Sequence, residues 1–541
     1  MGVRFILLTT LFGLIFGLLG FNLYRIQIDK GGYYLDKVQA RTANAAELEL
    51  SRGELFLTDR YGNAIPVAVD KDYPIIYAVP QQIKNPEQEA AALAPALNIS
   101  STTLASMLDN PKSLFRALTE KATQDQVNAV DGLNLDGIYT DTKQYRYYPF
   151  DTLASNVIGF VGVNGQNPQP TGLYGAEKEF NNTLAAGDDV HLTIDRVLQA
   201  QAEELIQNLV AAQSAESGSV IIEDPTTGAI LTMVSYPTFN PNSYASSSIA
   251  LYANQNVQDN YEPGSVFKPI TMSIGIDNGI FTPTSTYDDK GVVVLNGSVI
   301  RNWNLKAYGP HTTMTKVIEE SLNTGAVWAE EQIGNKLFYA GVKKFGFGDP
   351  SGIDLPNEAS GSLANLEKRD ARAVDYGTAA FGQGISVTPV QMINAFSVIA
   401  NGGLLMRPYV NASDAPEVIR RVISSSTAEK VRGMMIDAVN KAGVATISQF
   451  TVAGKTGTAQ IPDLQSGGYY PNQYIHTFIG MVPATKPQYV ILIKLVRPKS
   501  ELAAVSVVPA FKQMASFVLN YENVAPDNIG NKLDSYFYAN P

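Results

Sequence analysis

The sequence predicts an α+β fold in which an antiparallel sheet lies between helices. Three observations carry this. DRVLQAQAEELIQNLV has one apolar face at helical spacing and runs directly into GSVIIEDPTTGAILTMVSYP, two apolar arms around a Pro-Thr-Thr-Gly turn. Three more strand-like runs, GKTGTAQ, HTFIGMVPA and QYVILIKLV, gather near the C-terminus, ahead of a closing helix. The long stretch between the two strand groups is patterned as helices. Strands and helices grouped in blocks, without strict alternation, make a layered α+β architecture. At 541 residues the chain also exceeds one ordinary core, so two or more domains are expected.

Taken in order, the elements begin with residues 5–24, FILLTTLFGLIFGLLGFNLY, a run of twenty without a charge between Arg4 and Arg25. At about 1.5 Å per helical residue it matches a hydrocarbon core of about 30 Å. NLYRIQIDK behind it offers no small-x-small cleavage site, so a retained membrane anchor is expected rather than a signal peptide. Residues 1–4 are then a short stub, expected to be cytoplasmic because the chemistry below implies an external position for the rest of the chain. Gly13 and Gly17 form G-x-x-x-G, a spacing that lets helices pack closely, although glycine is common in membrane helices anyway. Residues 25–50 read as a polar linker. RGELFLTDRYGNAIPVAV reads strand, turn, strand, with Tyr61-Gly62-Asn63 at the turn. Arg52, Asp59 and Arg60 there suit ion pairs and turn chemistry better than catalysis. Residues 85–135 read as helical, including SLFRALTEKATQDQVNAV, and strand character returns in GIYTDTKQYRYYP. The composition changes near residue 190. These shifts divide the chain into one part at 51–188, a second at 189–525 and a tail at 526–541. The closing helix, PAFKQMASFVLNYE, sets Phe511, Met514, Val518 and Tyr521 on one face.

The composition excludes several kinds of chemistry. A net charge of −11 without a basic stripe argues against a nucleic-acid partner. With no cysteine there are no disulfides, thiolate nucleophiles or Cys-based metal sites. The three histidines, His191, His311 and His476, have no metal-ligand spacing, so no metal and no cofactor is expected.

With histidine so scarce, a serine nucleophile needs another base. YEPGSVFKP offers one, because Ser265 and Lys268, three apart, share a helix face. Pro269 is tolerated only near a helix start, which sets Ser265 at the first turn. A lysine of ordinary pKa is protonated and cannot act as a base. Burial and a second cation are the two ways to change that, while Glu262 would oppose it if it pointed inward. Two further elements follow in order. Ser321 and Asn323 lie in IEESLNTGAVW, a helical context. Lys455, Thr456, Gly457 and Thr458 lie in a strand. Lys455 can be the second cation, Gly457 lets a substrate lie along the strand, and the two threonines offer hydroxyls to a carboxylate.

S-x-x-K, S-x-N and K-T-G in this order form the motif triple of serine enzymes that react with penicillin. The chain resembles the class B penicillin-binding proteins, membrane-anchored peptidoglycan D,D-transpeptidases. The likeness covers nearly all of it. RGELFLTDRYGN, RYYP, NVIGFVG and GLYGAEKEF resemble motifs of that family's elongated pedestal, a dimerisation-type domain. LTIDRVLQ, DPTTGAIL, YEPGSVFKP, SLNTG, FGFGDPSGIDLPNE, FGQGISVTPVQ and GKTGTAQ resemble its transpeptidase domain. The resemblance implies Ser265 as acylated nucleophile, Lys268 as its base, and Ser321 as proton relay to the leaving D-alanine. It implies that Asn323 holds the substrate amide and that Lys455, Thr456 and Thr458 bind the terminal carboxylate beside Gly457. The backbone N–H groups of Ser265 and Thr458 form the oxyanion hole on this pattern. Implied partners are peptidoglycan stem peptides, β-lactams as covalent inhibitors, and a polytopic membrane polymerase of glycan strands. The implied location is the bacterial cytoplasmic membrane, crossed once, with the catalytic domain outside the cytoplasm. S-L-N is ordinary variation for the family. The join near residue 185 is shorter than in many relatives, and no glycosyltransferase domain is expected.

Three alternatives have different signatures. A serine β-lactamase of class A uses a carboxylate with an Asn four residues later. Glu358 is suitably placed, but residue 362 is Ser. A non-catalytic β-lactam sensor or scaffold should lose Ser265, Lys268 or Lys455, and all three are present. A D,D-carboxypeptidase differs only in using water as the acceptor.

Overall fold

The structure is a computed structural model that describes residues 51–164, 167–463 and 465–528, together with Phe16 and Leu19. Apart from those two residues, the apolar run at 5–24, with Gly13 and Gly17, lies outside the described residues. So do the linker at 25–50 and residues 529–541 of the tail. Among the described residues no helix is long and apolar enough to cross a membrane.

Two compact units divide the described chain. One is made by residues 70–147 with Ser51 and Arg52, the other by residues 53–69 and 148–528. The strand Ile65–Ala78 runs through both, and each half finds partners in its own unit. Residues 53–69 and 148–188, grouped by sequence with the pedestal, pack within the second unit.

In the first unit, the distal half of Ile65–Ala78 pairs antiparallel with Arg116–Thr119 and also pairs with Ile138–Tyr147. The helices Pro86–Leu97, Ser101–Leu108 and Gln124–Asp131 supply Leu93, Leu97, Leu104, Leu108 and Val130 to a core shared with Ile76, Leu118 and Ile138. Residues 85–135 are therefore not helical throughout, because Arg116–Thr119 is a strand. Four residues are too few for periodicity to separate helix from strand, and the pairing of Ile76 with Thr119 decides it.

The second unit is built on a five-stranded antiparallel sheet. Its strands are β1 (Ser217–Glu223), β2 (Ile230–Tyr236), β3 (Ala453–Pro462), β4 (Tyr469–Val482) and β5 (Tyr489–Val496). Their spatial order is β3-β4-β5-β1-β2, so β3 is an edge strand. Alternate residues face opposite layers. Ile491, Ile493 and Leu495 meet the helices α1 (Arg196–Gln213) and α5 (Ala503–Tyr521) through Leu198, Leu205, Phe511, Met514 and Val518. Val490 and Leu492 face the opposite core, which contains α2 (Lys268–Asp277), α3 (Asn323–Ile333) and α4 (Pro389–Ala400). Every residue of α4 is buried. Asp195 caps α1 by accepting from the N–H groups of Val197 and Leu198, and Thr388 with Gln391 forms a capping box on α4.

The closing helix starts at Ala503, before the Pro509 that opens the predicted segment. Its apolar stripe, Val507, Val508 and Phe511, continues across the proline and outweighs the missing N–H. The short join near residue 185 is the helix Asn181–Ala185, followed by the strand Val190–Asp195, which pairs in parallel with Leu55–Thr58. Asp59 holds the turn beside that strand through the N–H groups of Tyr61 and Asn63. Arg60 bonds the Tyr521 carbonyl at the end of α5 and lies over the Tyr521 ring. Both residues are structural.

Candidate active site

Three segments converge at the edge of the sheet. The first is a single 3₁₀ turn, Gly264–Phe267, that continues directly into α2. Ser265 stands on its first turn, and Pro269 sits at the start of α2, where its missing N–H costs little. Gly264 has φ +59°, and a Cβ there would lie 3.0 Å from the Cβ of Ala459 on β3. Glycine thus allows both the left-handed turn and the close approach.

The second segment is the break between the helix Met314–Glu319 and α3. Ser321 occupies it with φ +55°, rare for a residue with a side chain. In that conformation both its carbonyl and its hydroxyl reach one amine. Lys268 Nζ lies 2.6 Å from Ser321 O, 3.1 Å from Ser321 Oγ, 2.9 Å from Asn323 Oδ1 and 3.0 Å from Ser265 Oγ. Asn323 Nδ2 donates to the Arg301 carbonyl at 2.9 Å, which fixes the amide with its oxygen toward the lysine.

The third segment is β3. Lys455 Nζ donates to Ser321 Oγ at 3.0 Å and to Thr456 O at 3.2 Å. Thr456 is partly exposed and Thr458 exposed. Gly457 is buried, and a Cβ on it would lie 3.0 Å from the Pro263 carbonyl and 3.1 Å from Val266 Cγ1. Ser265, Lys268, Ser321, Asn323 and Lys455 are thereby joined in one hydrogen-bonded group, with Gly457 packed against the turn that carries Ser265.

Electrostatics decide what the group can do. Lys268 is 0% exposed, and its pKa falls well below the ordinary lysine value, first through burial and second through the charge of Lys455. Burial also lowers Lys455, to about 7. A neutral amine has two N–H groups and one lone pair. Ser321 O and Asn323 Oδ1 can only accept, so they take both N–H groups. The lone pair is left for the serine hydroxyls, which is the arrangement a general base requires. Glu262 does not oppose this. Its carboxylate accepts from Gly384 N and from the Tyr469 hydroxyl, both at 3.0 Å. Glu358 is likewise committed elsewhere, to the N–H groups of Ser351 at 2.6 Å and Gly352 at 3.0 Å.

The motifs do not reveal the support behind these residues. Asp289, 1% exposed, accepts from Thr324 Oγ1 at 2.7 Å, Gly291 N at 2.9 Å, and Asn302 Nδ2 and Tyr308 N at 3.0 Å. This network ties the start of α3 to the segment carrying Arg301, and so holds Asn323. Gly264 N donates to Gly382 O at 2.9 Å, and Tyr261 and Val387 exchange both backbone bonds. The FGQG run was the available signal for the loop at 382–387. Nothing in the local sequence marks Asp289. Among the described residues no group of His, Asp and Glu is arranged to hold a metal ion.

A family model described as the penicillin binding protein transpeptidase domain matches residues 218–515, and one described as the penicillin-binding protein dimerisation domain matches residues 48–220. The chain belongs to the penicillin-binding transpeptidase family. It is 30% identical to stage V sporulation protein D of Bacillus subtilis, across 91% of this chain and 82% of that one. It is 28% identical to the peptidoglycan D,D-transpeptidase FtsI of Escherichia coli K12, across 90% and 86%. The fold matches the crystal structure of penicillin binding protein 2X from Streptococcus thermophilus with a TM-score of 0.70. That match has 22% identity and covers 88% of this chain and 81% of that one.

Proposed function

We propose that this penicillin-binding transpeptidase cross-links peptidoglycan stem peptides through an acyl-enzyme on Ser265. The observation that carries the reading is the lone pair of Lys268, left 3.0 Å from Ser265 Oγ once both N–H groups are committed. Lys268 takes the Ser265 proton as Oγ attacks the penultimate D-alanine carbonyl. The N–H groups of Ser265 and Thr458 receive the oxyanion. The proton moves through the Ser321 hydroxyl, which lies within 3.1 Å of both lysines, to the departing D-alanine amine. Lys455, with Thr456 and Thr458, binds the terminal carboxylate, and Asn323 holds a substrate amide. The donor strand lies along the edge of β3, where Gly457 keeps the surface flat. An acceptor amine from a second stem peptide then attacks the ester. A β-lactam follows the same first step, but its leaving nitrogen stays tethered, so the adduct blocks the acceptor. Glu358 is bonded to backbone N–H groups and does not offer its carboxylate to a deacylating water, which disfavours the lactamase reading.

The non-catalytic part at 51–188 and the catalytic part at 189–525 would serve one membrane-anchored enzyme. Residues 5–24 cross the cytoplasmic membrane once, and the catalytic part faces outward, where its substrate is. The anchor and pedestal present it to a polytopic glycan polymerase. The uncharged run of twenty and the family's dimerisation domain support this.

The test supplies a D-Ala-D-Ala donor peptide with and without an amine acceptor. Released D-alanine together with an acceptor-dependent cross-linked product is the expected result. Release with hydrolysed donor alone, whatever the acceptor concentration, would replace transpeptidase with carboxypeptidase. Rapid multiple turnover of a penicillin would indicate a lactamase.

A further inference from the structure

A second buried lysine takes no part in the chemistry above. Lys494 lies on β5 and is 1% exposed. Its direct neighbours across the sheet are Thr477 on β4 and Ser219 on β1, which continue the row from Gly457 on β3 to Ser235 on β2. Val490 and Leu492, the preceding residues on that face, belong to the apolar core. No carboxylate among the described residues forms an ion pair with Lys494. Asp259 attracts it without forming one. What the ammonium does meet is the Tyr261 ring, 4.9 Å from Nζ to the centroid. Tyr261 is buried, and its hydroxyl has no hydrogen-bond partner among the described residues.

Tyr261 opens the arm that ends at Ser265. One side of this arm is fixed by the loop at 382–387, through Tyr261 to Val387, Glu262 to Gly384 N and Gly264 N to Gly382 O. The sheet forms the other side, where Gly457 packs under Pro263 and Lys494 under Tyr261. A buried ammonium without an ion pair disfavours the fold, and a methionine of similar length would not. Among the described residues its ammonium meets the segment that sets the nucleophile.

We propose that Lys494 is a positioning residue for acylation: it holds the Tyr261 ring, and through it the turn that presents Ser265, at the expense of stability. The proposal rests on Ser265 being the nucleophile, and the two are read separately. The experiment uses the full chain with Lys494→Met, Tyr261→Leu, Tyr261→Phe and the double variant Lys494→Met/Tyr261→Leu. A fluorescent penicillin gives the acylation rate constant and the pre-acylation binding constant, and thermal unfolding gives Tm. Lys494→Met should acylate ten-fold or more slowly, with binding little changed and Tm equal to or above wild type. Tyr261→Phe, which keeps a ring for the cation, should lose less than Tyr261→Leu. The double variant should lose no more than the worse single one, because both remove the same contact. Wild-type acylation by Lys494→Met overturns the proposal. So does a loss of rate matched by a fall in Tm and in the labelled fraction, the mark of a merely structural lysine. A wild-type label on a serine other than Ser265 overturns the catalytic reading itself.

Discussion

Lys268 and Lys455 have different protonation requirements for one reaction. The base must be neutral, and the carboxylate-binding cation must be charged. Burial lowers both, and the charge of Lys455 lowers Lys268 further, which favours the neutral base beside a charged neighbour. Acylation should therefore rise as Lys268 deprotonates and fall as pH passes about 7, where Lys455 loses its charge in the free enzyme. Lys455→Arg should remove the falling limb, since a guanidinium stays charged, and the pH profile of the acylation rate checks this. Lys268→Arg should lose acylation nearly as fully as Lys268→Ala, at least about a hundred-fold, the usual reach of general-base catalysis. A near wild-type rate for Lys268→Arg would pass the base role to another group. The spacing of Ser265 and Lys268 was readable because three residues on a helix mean one face. The committed N–H groups of Lys268 were not, because they depend on the left-handed Ser321 and on an amide fixed by Arg301, contacts set by tertiary structure.

Elements contribute through layers that sequence patterns describe unevenly. The strands of the central sheet were legible because their apolar runs are long and bounded by turns. The strand Arg116–Thr119 was not, because its pairing partner lies about forty residues away. The sheet also carries an ionisable group hidden from its own pattern. Glu223 on β1 is 0% exposed and faces Ser397 on α4, and burial raises its pKa to about 8. A carboxyl held protonated in the fold stabilises fully below its unfolded pKa near 4.5, and that contribution disappears as pH rises through about 8. Glu203 and Glu330, each raised to about 7 by burial, act in the same sense. These three carboxyls pull stability down from mild acid toward pH 8, against the opposite pull of Lys268, Lys455 and His476, whose pKa values burial lowers, and Glu223→Gln should remove its own share of the decline, up to a few kcal/mol. Melting temperatures at pH 5 and pH 8 for both proteins check it, and parallel declines would remove Glu223 as the cause.

At the scale of the whole molecule, the proposed function needs an acylating site, a non-catalytic part and an anchor in one chain. Deleting residues 1–25 should move the protein from the membrane fraction to the soluble fraction while leaving acylation by penicillin within a few-fold of the full chain. Retention in the membrane fraction after the deletion would show that residues 5–24 are not what holds it there. The central claim is that Ser265 forms the acyl-enzyme. Its most direct measurement is intact mass followed by peptide mapping of the full chain after brief exposure to a penicillin. The expected result is one adduct per chain, on the peptide containing Ser265, that persists for many minutes and is absent from Ser265→Ala. An adduct on another serine, or undiminished labelling of Ser265→Ala, would contradict it.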